Sequence, residues 1–237
     1  RERNRASAEW LLRQWAIGGF SATNDPWAVS VEVTSKQDDT IVGRTREITA
    51  SDGRYRRDVI EGEVGGLKAP AAQGFDGKEY WEWDGARVVK REAGELAGLE
   101  EARVHALLWL APKPWEDFAT VELEGGDRAA GRRACRLRLE TDGHASGWLA
   151  WFSLFDRDGQ PRVELVKVAL DSPSKGADGA VMFSAGTASS ESGVRFPLRR
   201  EYVKGLNEER VVTETISGRK MLKTFDPKVF QAKTDQE

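Results

Sequence analysis

The side chains that could carry acid–base, nucleophilic or metal chemistry are few and scattered in this sequence. The two histidines, His105 and His144, fall in a helical segment and in a turn, outside any nucleophile or metal-ligand motif. The single cysteine, Cys135, excludes an internal disulfide and a cysteine-based metal cluster. Cys135 and the leucines that follow it alternate with arginines, as on a strand with one apolar face. We therefore expect Cys135 to be a small core residue on a β-strand. The sequence thus offers no candidate catalytic residue, and we expect no enzyme activity, no metal and no cofactor.

Carboxylates and glycines give equally weak signals for chemistry. Glu79, Glu82 and Asp84 could act as a general acid and base, but Glu82 alternates with two tryptophans and should face water. Gly65-Gly66 and Gly125-Gly126 lack the lysine and threonine that follow the glycines of a phosphate-binding loop. These residues indicate hairpins and turns.

The charge balance limits the classes of partner. The 237 residues include 36 Lys and Arg against 39 Asp and Glu, which gives a net charge of −3. A protein that binds nucleic acid or an anionic membrane needs a basic excess on some face. No segment approaches the roughly 20 apolar residues that span a bilayer. We therefore expect no nucleic acid partner and a protein that is peripheral to a membrane at most.

The stretch from Trp148 to Phe155 reads as a β-strand that is apolar on both faces. Alternation sends successive residues to opposite sides of a strand. One side then carries Trp148, Ala150, Phe152 and Leu154, and the other carries Leu149, Trp151, Ser153 and Phe155. Both faces must be covered, either by more protein or by an apolar ligand.

The remaining patterns predict strands with two helices among them. The first helix covers about residues 6–18, with Ser7 as its N-cap and Trp10, Leu11, Trp15 and Ile17 on its apolar side. The second, a plug helix, covers about residues 93–111 and ends before Pro112. Two Asp-Gly pairs, at Asp76 and Asp84, predict tight hairpins. The alternation of Trp27, Val29, Val31 and Val33 with polar residues predicts a strand, and Gly43 predicts a β-bulge. The segment Ser172–Ser192 is expected to be a loop or lid with a short strand at Ala180–Ser184.

This order of elements predicts an α+β fold. We expect a single domain over residues 1–237, with a strongly curved antiparallel sheet of about ten to eleven strands. The sheet would form an incomplete β-barrel with the helices plugging its concave side.

Four motifs, in their order along the chain, carry a resemblance to a known family. They are Phe75-Asp-Gly with Trp81, Phe155-Asp-Arg-Asp-Gly-Gln-Pro161, Gly193-Val-Arg-Phe-Pro-Leu-Arg-Arg-Glu-Tyr202, and Phe225-Asp-Pro-Lys-Val-Phe230. Over roughly residues 6–232 the chain resembles the LolA-like family of bacterial periplasmic lipoprotein carriers. The resemblance implies an incompletely closed barrel whose helices cover an apolar cavity that accepts acyl chains or similar cargo.

The predicted function is therefore non-enzymatic binding of a lipid, a lipoprotein acyl chain or another hydrophobic small molecule. We expect a periplasmic or secreted protein, with a lipid anchor outside this sequence as an alternative. The candidate cavity-lining residues are Trp81, Trp83, Leu107, Trp109, Leu110, Trp148, Trp151, Phe152, Phe155 and Phe196.

Two other functions stay open at this point. One is an envelope stress sensor or regulatory domain of the same fold, which would bind an envelope protein and would be favoured by a filled interior and an exposed apolar patch. The other is an enzyme on a lipocalin-like scaffold, which needs convergent His, Asp or Glu side chains that this sequence hardly offers.

Overall fold

The computed structural model describes residues 2–17, 26–91, 97–141, 147–157, 160–171, 180–184, 196–204 and 209–232. The helices in this part of the chain are α1 (Glu2–Ile17), α2 (Ala97–Leu110), α3 (Pro114–Asp117) and a 3₁₀ helix (Pro227–Phe230). The strands are β1 (Ala28–Gln37), β2 (Thr40–Ala50), β3 (Tyr55–Val64), β4 (Leu67–Lys68), β5 (Ala71–Phe75), β6 (Tyr80–Trp83), β7 (Val88–Arg91), β8 (Thr120–Ala129), β9 (Arg132–Glu140), β10 (Gly147–Arg157), β11 (Gln160–Asp171), β12 (Ala180–Ser184), β13 (Arg199–Lys204) and β14 (Glu209–Leu222).

The mainly antiparallel α+β class is confirmed, but the predicted strand number is wrong. The described residues form fourteen strands, against an expectation of about ten to eleven from alternation. Strands such as β4, β5 and β7 have only two to five residues. So few positions cannot show a clear alternation, which is why the sequence pattern undercounts them.

The chain divides into two compact units. The α1 unit comprises residues 1–22 and 112–212, and the α2 unit comprises residues 23–111 and 213–237. That residues 1–237 act as one domain stays a prediction.

In the α2 unit the strands follow the order β7-β6-β5-β3-β2-β1-β14, with β4 paired to β3. In the α1 unit the order is β13-β12-β11-β10-β9-β8. These pairings are antiparallel, and most link strands that are neighbours in the sequence. Short hairpins therefore build most of the sheet in each unit.

Two predicted hairpins and one predicted bulge are confirmed. Gly77 and Gly85 have φ of 104° and 95°, which a residue with a side chain rarely adopts. The preceding aspartates, Asp76 and Asp84, each accept two hydrogen bonds from backbone N–H groups of the turn. These bonds lower the pKa of Asp84. The register of β1 against β2 shifts beside Gly43, where the bulge was expected.

Helix α1 starts earlier than predicted. It begins at Glu2, and Ser7 lies inside it with its hydroxyl donating to the carbonyl of Arg3, so Ser7 is not the N-cap. Its buried side chains recur at helical spacing at Ala8, Leu11, Leu12 and Trp15. Trp10 was predicted to share this side, but it lies off the buried stripe and is 47% exposed.

Helix α2 is buried on all sides over residues 104–108. Its described span is Ala97–Leu110, and residues 93–96 of the predicted helix lie outside the described part of the chain. The consecutive buried positions are Val104, His105, Ala106, Leu107 and Leu108. Burial at five successive positions cannot come from one helix face. His105, expected on a helix face or at the surface, is therefore buried, with Nε2 3.8 Å from Oε1 of Glu101. His144 lies outside the described residues.

Strand β10 is buried on both faces over its first part, as predicted. Trp148, Ala150 and Phe152 on one face and Trp151 and Ser153 on the other are all buried. The prediction fails at the end of the strand, where Leu154 and Phe155 are 42% and 40% exposed. The short strand at Ala180–Ser184 is confirmed as β12. Residues 172–179 and 185–192 of the expected lid lie outside the described chain.

Candidate functional site

Strand register gathers buried aromatic side chains under helix α2. Directly opposed residues of antiparallel strands share a sheet face. One such row, here the aromatic row, runs from β2 to β6 through Thr49, Tyr55, Phe75 and Tyr80. Ala102 of α2 packs against its three aromatic residues, and the Phe75 and Tyr80 rings lie 4.6 Å apart. We call the sheet surface that carries this row the α2 face.

Arg103 ties helix α2 to the aromatic row. Its guanidinium carbon lies 4.8 Å from the centre of the Phe75 ring, a cation–π distance. Burial raises the pKa of the Tyr80 hydroxyl, while a hydrogen bond and the charge of Arg103 act in the opposite direction. Tyr80 therefore keeps its proton at neutral pH and presents a neutral hydroxyl at the helix–sheet contact.

The turn between β2 and β3 approaches the same helix closely. A Cβ added to Gly53 would lie 3.1 Å from Cδ2 of Leu107. Gly53 also has a φ of 84°, so both its backbone and its surroundings favour glycine. This contact holds the end of α2 near the start of the aromatic row.

A second row on the α2 face is polar. It lies two residues along each strand from the aromatic row and consists of Glu47, Arg57, Gln73 and Glu82. Nε and NH2 of Arg57 each lie 2.8 Å from Oε1 of Glu47. Glu47 is 0% exposed and Arg57 is 8% exposed. The α2 face therefore contains a buried ion pair, which had to be taken out of water when the protein folded.

Thr45 adds a hydrogen-bonding group that the fold does not use. It lies on β2 two residues from Glu47, opposite Val33 and Val59, and it is 1% exposed. Its hydroxyl oxygen has no hydrogen-bond partner. A buried hydroxyl without a partner carries a desolvation penalty. The α2 face thus combines an aromatic surface, a neutralised ion pair and one unused hydroxyl.

Comparison with known proteins identifies the fold. No protein-family model and no curated protein matches the sequence. Among solved structures, a LolA superfamily protein from Nitrosomonas europaea superposes with a TM-score of 0.58 at 15% identity, covering 95% of this chain and 97% of the other. An outer membrane lipoprotein-sorting protein domain from Vibrio parahaemolyticus gives a TM-score of 0.61 at 10% identity, with 96% and 97% coverage. The chain has a LolA-like fold. A DUF1329 family protein from Desulfovibrio piger shares it, with a TM-score of 0.58, 7% identity, and 96% and 97% coverage.

The resemblance seen in the sequence is thereby confirmed for the fold. At identities this low the likeness carries no assignment of ligand or partner. The ligand and the partner of this LolA-like chain must therefore be inferred from its own residues.

The predicted lining residues of the α2 unit divide between the two faces of its sheet. Leu107 and Leu110 are buried side chains of α2, and Trp109 of the same helix is half-buried. Trp81 and Trp83 alternate with Tyr80 along β6 and so lie on the face opposite to the aromatic row. Trp81 is held there by its 3₁₀-helix neighbour, because its Nε1 donates to the Phe230 carbonyl at 2.8 Å.

The other predicted lining residues belong to the α1 unit. Trp148 and Phe152 lie on one face of β10, and Phe152 meets the Trp15 ring of α1 edge-on at 6.1 Å. Trp148 is 2% exposed, and its Nε1 has no hydrogen-bond partner. Trp151 lies on the opposite face. Phe155 is exposed and Phe196 is buried.

Trp151 sits between opposite charges. Its Nε1 donates to Oδ2 of Asp127 at 2.9 Å, and Nζ of Lys167 lies 5.1 Å from its ring. The indole hydrogen bond is the largest cause of a lowered pKa at Asp127, and Arg136 acts in the same direction. These contacts satisfy the Trp151 indole within the protein.

Sequence reasoning missed the aromatic row and the polar row. Phe75 enters the sequence argument only as part of the Asp-Gly hairpin motif, and Glu82 was expected to face water although it is half-buried. Alternation along β3 could have predicted that the polar row shares a face with the aromatic row. Arg57 lies two residues from Tyr55 and from Val59, so alternation puts all three side chains on one face.

Two kinds of feature, a metal-binding group and a membrane-spanning helix, are absent from the described residues. No group of three or more His, Cys, Asp or Glu side chains comes together there in a way that could hold a metal ion. In the same part of the chain, none of the helices has the length and apolar character of a membrane span.

Proposed function

We propose that this LolA-like protein is a non-enzymatic binding protein for a hydrophobic molecule, such as a lipid or a lipoprotein acyl chain. The observation that carries the proposal is the buried aromatic row beneath a helix whose second half is buried and mainly apolar. Such an apolar segment can rest on an apolar ligand as readily as on the sheet itself. In this proposal α2 is the movable cover of the site.

The energies allow such an exchange. Lifting α2 would expose Leu107, Leu108 and Leu110, at roughly 1.5–3 kcal/mol for each side chain. An acyl chain of ~16 carbons gains roughly 0.8 kcal/mol for each CH₂ group it buries, or about 12 kcal/mol in all. A long acyl chain therefore offsets more of the cost of lifting α2 than a short one does.

The proposed site consists of Tyr55, Phe75 and Tyr80 together with Leu107, Trp109 and Leu110 of the cover. The remaining lining candidates, in the α1 unit and on the opposite face of β6, stay predictions. The name of the Vibrio neighbour, a lipoprotein-sorting domain, supports a lipid ligand and a location in the cell envelope. We accordingly propose a periplasmic or secreted protein, peripheral to the membrane at most, that uses no cofactor.

Native mass spectrometry and a fluorescent fatty acid test the proposal. The protein, purified without detergent, should carry copurified lipid and should take up the fluorescent probe. Ala102→Trp, which fills the contact between α2 and the aromatic row, should weaken probe binding about tenfold. Ala86→Trp adds the same side chain to an exposed hairpin and should leave binding unchanged. Absence of both copurified lipid and probe uptake in the unmodified protein would reject the proposal.

A second candidate function is binding of an envelope protein. Leu154 and Phe155 are 42% and 40% exposed at the end of β10, while Phe152 of the same strand is buried against Trp15 of α1. Exposed large apolar residues of this kind suit a protein contact. Affinity capture with the unmodified protein and with Leu154→Ser/Phe155→Ser distinguishes this function, because only a partner held by these two residues is lost from the variant.

A further inference from the structure

The polar row lies where the polar end of a bound amphiphile would reach. Adjacent rows on one sheet face are two residues apart, or about 7 Å along the strands. An acyl chain that covers Tyr55, Phe75 and Tyr80 can therefore place its polar end at Glu47 and Arg57, with Thr45 one row further along the strands. This inference rests on the proposed function and concerns the same site.

We propose that the polar row selects ligands whose polar end is uncharged, a hydroxyl or an ester, over ligands that end in a carboxylate or phosphate. The selecting groups are the Glu47–Arg57 ion pair of this row and the Thr45 hydroxyl, which lies two residues further along β2.

The charge state of the row disfavours an anion. Arg57 places two N–H groups on Oε1 of Glu47 at 2.8 Å, so its charge is already neutralised. An anionic head group would share that cation with a carboxylate that is 0% exposed. Like charges in a buried site repel strongly because little water screens them. Arg103, the other cation near the aromatic row, belongs to the cover and contacts Phe75 rather than the polar row.

The unused hydroxyl favours an uncharged head group. Thr45 can donate to an ester carbonyl or accept from a ligand hydroxyl. Its hydroxyl has no partner in the closed protein and is 1% exposed. A ligand that supplies the missing hydrogen bond removes a penalty that the folded protein already carries. Thr45 therefore increases the affinity for such a ligand.

Displacement of N-phenyl-1-naphthylamine, an uncharged fluorescent probe, tests the inference. Monoolein, methyl oleate and oleate share one C18 chain and differ at the polar end. At pH 8 we expect monoolein, methyl oleate or both to displace the probe at concentrations about tenfold below that of oleate. A preference shared by both uncharged ligands identifies the ester carbonyl as the bound group, and a preference for monoolein alone identifies the hydroxyl.

Thr45→Val keeps the shape of the side chain and removes the hydroxyl. It should reduce the advantage of the uncharged ligands over oleate, which is measured against the affinity of the same variant for the naphthylamine probe. Thr215→Val makes the same change at an exposed strand position and should alter neither. Glu47→Gln removes the negative charge that repels an anionic head group at Arg57 and should improve oleate binding about tenfold. If Thr45→Val does not fold, oleate binding by Glu47→Gln still tests the inference.

Each outcome supports or rejects the inference. Equal displacement by oleate and by both uncharged ligands, or an unchanged preference in Thr45→Val, overturns it and leaves the proposed function standing, because the probe still binds. Failure of every probe and ligand to bind the unmodified protein overturns the proposed function and this inference together.

Discussion

The buried ion pair of the polar row makes a sharp prediction about stability. Arg57→Met would leave Glu47, which is 0% exposed, as a buried carboxylate without its cation. Removing one partner of a buried pair costs about 3–5 kcal/mol in unfolding free energy. Glu47→Leu should cost a similar amount, because the Arg57 side chain is only 10% exposed in the pair. Either single substitution therefore removes a large part of the stability of an ordinary domain.

Replacing both residues should have a different effect. The double variant Glu47→Leu/Arg57→Met substitutes apolar side chains of similar size for both charges. Such replacements are neutral or stabilise by about 1–4 kcal/mol, since neither charge has to leave water. We expect the double variant to unfold at a urea concentration no lower than the unmodified protein, although each single variant unfolds earlier. It should also lose the discrimination between uncharged ligands and oleate.

Urea unfolding followed by tryptophan fluorescence measures all four proteins in one thermodynamic cycle. The matched control is the exposed pair of Lys90 and Glu79, whose charged atoms lie 2.6 Å apart with side chains 71% and 53% exposed. The same cycle there should show no measurable coupling. A double variant of the buried pair that is as unstable as the single variants would refute the reasoning, because the pair would then stabilise the fold in its own right.

Three further predictions follow from single contacts. Trp81→Phe keeps the ring but removes the bond to the Phe230 carbonyl, so urea unfolding should show a loss of about 1–2 kcal/mol. Burial raises the pKa of the Cys135 thiol, so its alkylation by iodoacetamide should become fast only at a higher pH than that of free cysteine. Because the Trp151 indole holds the pKa of Asp127 down, the stability that this carboxylate contributes is present above its unfolded-state pKa and is lost as the pH falls through the lowered value. Carbon NMR titration of Trp151→Phe should show that pKa rising, and an unchanged value would contradict the assignment.

Local rules explain what the sequence could predict of this fold. The Asp-Gly hairpins at Asp76 and Asp84 and the alternating strand before Gln37 depend on neighbouring residues, and the structure confirms them. The beginning of helix α1 was predicted wrongly because Ser7 has the residue type of an N-cap but bonds back to Arg3 inside the helix. The exposure of Phe155 depends on where the covering elements end, which the strand itself does not encode.

The site was harder to predict because its chemistry depends on pairing between strands. Glutamate and arginine are residue types that usually lie at the surface, so the sequence alone indicates that the charges of Glu47 and Arg57 face water. Only the register that opposes them across β2 and β3 makes them a buried pair. A sequence whose sole requirement was stability would gain by replacing both with apolar residues. The presence of the pair beside an unpartnered Thr45 is therefore consistent with the proposed ligand, whose polar end would contact this surface. The double variant separates a role in ligand binding from a role in stability.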